Sequence, residues 1–127
     1  MIINQLAVYS QNEVGKLLPI IETLGSNGIN VESLNIADTA EYGIVRMLTS
    51  DNEKAQKILQ EKGFISTITS LVGVEVADEA GELAKTLEKL AANKIDIEYI
   101  YSYSRKDGKA LILIKTEKII EAEELLK

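Results

Sequence analysis

From Gln5 to Ser10 the chain alternates, with Leu6, Val8 and Ser10 on one face and Ala7 and Tyr9 on the other, the period of two that marks a strand. A polar turn ending at Gly15 follows. From Lys16 to Asn27 the period lengthens: Leu17, Ile21 and Leu24 recur at i, i+4 and i+7, the stripe of a helix lying on a sheet. Pro19 falls in the first turn, where its missing N–H costs least, and Leu24 to Gly28 supplies asparagine and glycine for a left-handed stop. Val31 to Asp38 alternates again with Leu34 and Ile36 on one face. Thr39 to Gly43 then makes a hairpin connection, and Ile44 to Thr49 returns as a third strand, apolar on both faces and therefore central. Capping oxygens at Thr49 to Asn52 open a second helix with Ala55, Ile58 and Leu59 inward, stopping at Lys62 and Gly63. Phe64 to Thr69 is a fourth strand.

That order, β-α-β-β-α-β, is the split βαβ or ferredoxin-like unit, and the pattern then repeats. A shift of about 66 positions lays Val8 on Val74, Glu13 on Glu79, Gly15 on Gly81, Leu17 on Leu83, Leu24 on Leu90, Asn27 on Asn93 and Glu32 on Glu98 without a gap. The polar turn Gln11 to Leu17 is thus echoed by Ala77 to Leu83. The second unit reads as a strand at Leu71 to Val76, a helix at Gly81 to Asn93 with Leu83, Leu87 and Leu90 inward, a strand at Ile97 to Ser104, a turn at Arg105 to Gly108, a strand at Ala110 to Thr116 and a helix at Lys118 to Leu126. We therefore divide the chain at residues 1–69 and 70–127, an α+β tandem of antiparallel sheets with helices on one face. The second unit lacks its last strand, so Leu71 to Val76 is expected to present an open edge, covered by another chain or by displaced sequence.

Each unit has roughly 65 residues, near the lower limit for burying a core alone, so the halves are expected to lean on each other or on a second chain. The 127 residues contain no cysteine and no histidine, which removes disulfides, thiolate catalysis and the commonest general base and metal ligand. Metal sites built from carboxylates stay open. A net charge of -6 and 14 basic residues against 20 acidic ones argue against nucleic acid. No apolar run approaches the roughly 18 residues of a membrane span, and the start carries no basic region before an apolar one, so a cytoplasmic protein without a membrane partner is expected.

The duplicated strand, glycine turn and helix resemble a tandem ACT domain, the small ligand-binding module of amino-acid-responsive regulation. Gly28 to Val31 and Ile36 to Arg46 are similar to stand-alone proteins made of two ACT units. Two departures stand out: Val14 and Ala80 occupy the place where the family turn carries proline, which loosens the turn, and the last strand is missing. A glycine at a strand-to-helix turn lets backbone N–H groups approach a ligand, and the helix N-terminus favours a carboxylate. The resemblance thus implies ligand contacts at Asn12, Glu13, Gly15, Lys16 and Leu17, at Asn30, Ile36, Ala37 and Asp38, and in the second repeat at Asp78, Gly81, Glu82, Leu83 and Asp96. Oxygens of Asn12, Asp78, Asn30 and Asp96 suit an ammonium group. The alternative for both glycines is a tight turn with nothing bound.

Lys16 and Glu82 occupy the same repeat position with opposite charge, either as solvated first-turn residues or as walls of sites with different preferences. Tyr99, Tyr101 and Tyr103 share a strand face away from the helices, where Leu111 and Leu113 extend an apolar patch suited to packing between subunits or to lining a ligand. Glu121, Glu123 and Glu124 read as a solvated helix face. No nucleophile–base pair is visible, so no enzyme and no cofactor are expected. The expected function is binding of a small amino acid by a homodimer or higher oligomer, with a metabolic enzyme as a candidate partner. The rival is an interaction module with empty turns.

Overall fold

The computed structural model of the chain describes residues 1–11, 15–38 and 42–127, with the side chains of all of these except Asp38 and Tyr42. The chain divides into two compact units, one of residues 4–69, the other of residues 1–3 with 70–127. The first-repeat unit runs β1 (Ile2–Gln11, from Asn4 onward), α1 (Leu17–Ser26), β2 (Val31–Asp38), β3 (Tyr42–Thr49), α2 (Asn52–Glu61) and the opening of β4 (Ile65–Ala77). Its strands lie in the order β2-β3-β1-β4, which makes β3 central as its two apolar faces require. The register sets Leu6 against Met47 and Val8 against Val45, and these four meet Ile20, Leu24, Ala55 and Leu59 of the two helices in one buried cluster.

Both helices of this unit stop where the sequence said they would. Gly28 takes φ +74, and the Ile29 N–H reaches the Leu24 carbonyl at 3.0 Å while the Gly28 N–H reaches Gly25 at 3.1 Å, the paired bonds of a Schellman stop. Asp51 caps α2, its carboxylate accepting from the Lys54 N–H at 3.1 Å. Pro19 sits within the first turn of α1. Leu34 and Ile36 oppose Met47 and Val45, hence face the helix side, yet they remain 40% and 53% exposed. They lie on the edge strand, beyond the reach of the buried cluster.

The second-repeat unit contains the rest of β4, then α3 (Glu82–Ala92), β5 (Tyr99–Lys106), β6 (Lys109–Lys115) and α4 (Ile119–Leu125). The strands expected separately at Phe64 to Thr69 and Leu71 to Val76 are one strand of 13 residues. Nothing between Thr69 and Leu71 breaks an extended run, since neither proline nor glycine stands there. Within the unit β4 pairs with β6 and β6 with β5, and Val72, Ile112 and Ile114 bury against Leu90 and Ala122. Asp107 and Gly108, at φ 54 and 74, make a two-residue hairpin turn with both central residues left-handed.

The open edge of the second unit is partly covered by residues from the start of the chain. Gly73 gives its N–H to the Met1 carbonyl at 2.7 Å and accepts from the Met1 nitrogen at 3.0 Å. A Cβ on Gly73 would stand 2.8 Å from Ile3 Cδ1 and 3.1 Å from Met1 Cγ, so a side chain here would have to displace the two side chains lying across it. Displaced sequence, one of the two expected covers, therefore occupies part of the missing strand's place.

Three sequence expectations need correction. Leu83 is 40% exposed rather than inward, and Thr86, one position short of Leu87 on the helix, is buried instead. Leu113 does not extend an open apolar patch, because it is fully buried within the chain beside Gly73, over which Ile3 and Met1 lie. Tyr99 and Tyr101 do stack, with ring centroids 6.4 Å apart, but Tyr103 falls in a register shift between Ser102 and Ser104 and leaves the simple alternation.

Candidate functional site

Both repeats turn from strand to helix on a left-handed glycine, Gly15 at φ +84 and Gly81 at φ +89. A Cβ on either would meet no atom within 4 Å. The glycines are thus demanded by backbone conformation, and the space beside each is open. Lys16 and Leu17 begin α1, both half-buried, with Leu17 packed on the core. Asn12 and Glu13 lie outside the described residues.

The ladders decide which other candidates stand near the first turn. Ser10 pairs with Gly43, and Gly43 with Asp38; one row down, Tyr9, Ile44 and Ala37 line up, and below them Val8, Val45 and Ile36. The strand end that feeds the turn is therefore two strands, about 10 Å, from Ala37 and Asp38. Asn30 precedes the opposite end of β2. Eight residues at about 3.3 Å each set it roughly 26 Å from Asp38, far beyond the span of one amino acid within this unit. The backbone of Asn30 is engaged there: its N–H donates to Ser50 Oγ at 3.0 Å and its carbonyl accepts from the Ser50 N–H at 2.9 Å.

The second turn is built differently. The Asp78 N–H donates to the Gly108 carbonyl at 2.8 Å, which ties the turn to the β5–β6 hairpin. Arg105 of that hairpin grips the Asp78 carboxylate with both Nε (2.8 Å) and Nη2 (3.1 Å). The hydrogen bond to Asp78, then its charge, pushes the Arg105 pKa up, so the guanidinium stays charged at every ordinary pH. Glu82, half-buried at the helix start, accepts from Lys85 Nζ at 2.8 Å, which raises the Lys85 pKa. The candidate carboxylates at this turn already have cationic partners. Asp96, the repeat counterpart of Asn30, is exposed beside Lys94, Glu98, Thr116 and Lys118 around a hollow of about 200 Å³.

Sequence reading missed Arg105 as the partner of Asp78, because the two lie 27 residues apart. Their only shared signal was position, one at a turn after a strand and one at the neighbouring hairpin. It also missed a groove of about 410 Å³ between the end of β4 and α3, lined by Val74, Val76, Thr86, Lys89 and Leu126. Among the described residues no group of three or more carboxylates is placed to hold a metal ion, and no helix is long and apolar enough to cross a membrane.

Comparison with known proteins agrees with this architecture. None of the curated proteins matches the chain. The crystal structure of protein BT0572 from Bacteroides thetaiotaomicron superposes with a TM-score of 0.91 at 35% identity, over 99% of this chain and 87% of that one. The ligand-free regulatory subunit of aspartate kinase from Thermus thermophilus gives 0.66 at 14% identity, over 98% of this chain and 94% of that one, a likeness of fold. Clostridium acetobutylicum aspartate kinase gives 0.57 at 16%, with this chain covering 32% of its length. The family description of an ACT domain pair matches residues 1–126, and with two glycine turns opening the paired units, the chain belongs to that family.

Proposed function

We propose that this chain is a regulatory protein that binds a small amino acid at the first turn and passes its occupancy to a partner or to its own assembly. The observation that carries this reading is the left-handed Gly15, with open space beside it, at the start of α1. A ligand carboxylate there would meet the backbone N–H groups of Gly15 to Leu17 and the positive end of the helix, with Lys16 adding charge. Ala37, two strands from the strand end that feeds the turn, is the described candidate for the remaining wall, and Asn12, Glu13 and Asp38 are kept as contacts on the resemblance alone. The second turn, with Asp78 held by Arg105 and Glu82 by Lys85, stays outside the binding site in this reading. A homodimer or higher oligomer is the assembly we expect, and a metabolic enzyme the partner class, since the aspartate kinase regulatory subunit shares the fold.

Regulation requires a ligand to bind two arrangements unequally. A thermal-shift screen against the twenty amino acids, with oligomeric mass recorded for any hit, tests the reading. Saturation at about a hundred times Kd stabilises by about 2.7 kcal/mol, an easily seen rise in melting temperature. The rise should vanish in Gly15→Val, referred to that variant's own baseline, and persist in Gly81→Val. No shift at millimolar concentration for any amino acid would favour the module whose turns stay empty. The internally paired second turn is the observation on that module's side.

A further inference from the structure

The closing helix of each repeat carries opposite charge in the same place. Laying the buried Ala55 of α2 on the buried Ala122 of α4 brings Lys54 onto Glu121, Lys57 onto Glu124 and Glu53 onto Ile120. At about 100° per residue these three positions span about 100° of arc, on the side of the helix away from the alanine. All six residues are exposed. Among the described residues Lys54, Lys57 and Glu121 have no ion-pair partner, and Glu124 holds only Lys127, at 3.1 Å on its own helix. On α4 the two glutamates border a groove of about 500 Å³ whose walls include Ile95, Leu125 and Ile120. Ile120, at 74%, is the most exposed large apolar side chain among the described residues, and it stands where α2 has a glutamate.

We propose that the α4 face takes the α2 face of a second copy of this chain, with Lys54 and Lys57 against Glu121 and Glu124 and the lysine stems lying over Ile120 and the groove. Both charge pairs are three residues, about 4.5 Å, apart along their helices, so the faces match whichever way the helices cross. Like pairings are rejected. Two α4 faces would set glutamate on glutamate, and two α2 faces lysine on lysine, so only the unlike pair attracts. Exposed charge pairs contribute little affinity; burial of Ile120 holds the contact while the charges choose the partner face. Each chain carries both faces, which makes the contact heterologous. The inference rests on the homo-oligomer expected above and not on the amino-acid site at Gly15.

The test is sedimentation equilibrium of the full-length chain without ligand. Self-association that weakens as salt rises is expected. Lys54→Glu/Lys57→Glu and Glu121→Lys/Glu124→Lys each set like charges face to face and should each weaken it about tenfold or more. An equimolar mixture of the two variants should recover it, because acidic α2 then meets basic α4 and basic α2 meets acidic α4. Recovery also shows that both variants are folded. Ile120→Ser should weaken association severalfold with the melting temperature unchanged. A chain that stays monomeric up to millimolar concentration would overturn the proposal. So would association that neither double variant weakens, which places the interface elsewhere, or a mixture that associates no better than its parts. Amino acids titrated into the monomeric double variants read the Gly15 turn separately, so the two proposals fail by different results.

Discussion

The two repeats solve the same folding problem with unequal means. In the first-repeat unit, Ile20 fills the centre of the helix face and is fully buried; its counterpart Thr86 is a buried hydroxyl-bearing residue. Gly28 ends α1 at φ +74 with no Cβ to strain, whereas α3 ends with the same pair of bonds on Lys94 at φ 56, a left-handed conformation that costs an L-residue about 1–2 kcal/mol. The first unit also has a full fourth strand, while the second borrows Met1 to Ile3. Duplication preserved the hydrophobic period and the turn glycines, and the second copy departs at the positions where packing is completed. The lesson is that shared pattern fixes topology, while residue volume and strand supply set how firmly each copy holds.

The largest expected effect comes from giving the first unit the second unit's core. Ile20→Thr should destabilise by about 3 kcal/mol, from lost apolar burial and a hydroxyl placed in a dry core, measured by urea unfolding. If it costs less than Thr86→Ala, the contrast between the cores is wrong. Next is Gly73→Val, whose side chain competes with Ile3 and Met1 for one space. A cost of about 2 kcal/mol is expected, with loss of hydrogen-exchange protection at residue 73 while the first-unit strands keep theirs. A uniform loss across both units would contradict the assignment of residues 1–3. Lys94→Gly should stabilise by about 0.5–1 kcal/mol, the relief of strain less the entropy of glycine, and Gly28→Lys should cost about the same or more. Smallest is Arg105→Gln, which removes an exposed ion pair and should leave the melting temperature unchanged, at low salt and high. A clear loss would show that the hairpin depends on this contact.

Much of the fold was legible because the information is local. Leu17, Ile21 and Leu24 declared a helix, the alternation of Val31 to Asp38 a strand, and Gly28, Gly63 and the Asp107–Gly108 pair their own left-handed turns. That the outer edge of the strand at Leu71 to Val76 needs a cover was legible by comparing copies. What escaped depends on distance. The fusion of two expected strands into β4 turned on the absence of a breaker, a weaker signal than the presence of one. Leu83 followed the helical period yet sits at the rim, because the stripe on α3 centres on Thr86 and Leu90. The Asp78–Arg105 contact is set by the register of β4, β6 and β5, which no local period encodes. Of the candidate site, the glycines and the turn were readable, but the roughly 26 Å between Asn30 and Asp38 needed the ladder.

The most direct test of the central claim, that the first turn is the amino-acid site, is a 15N–1H titration of the chain with the amino acid that stabilises it most. The account expects the Gly15, Lys16 and Leu17 amides to move saturably while Gly81 and Glu82 stay in place. Movement confined to Gly81 and Glu82, or none at either turn, would contradict it.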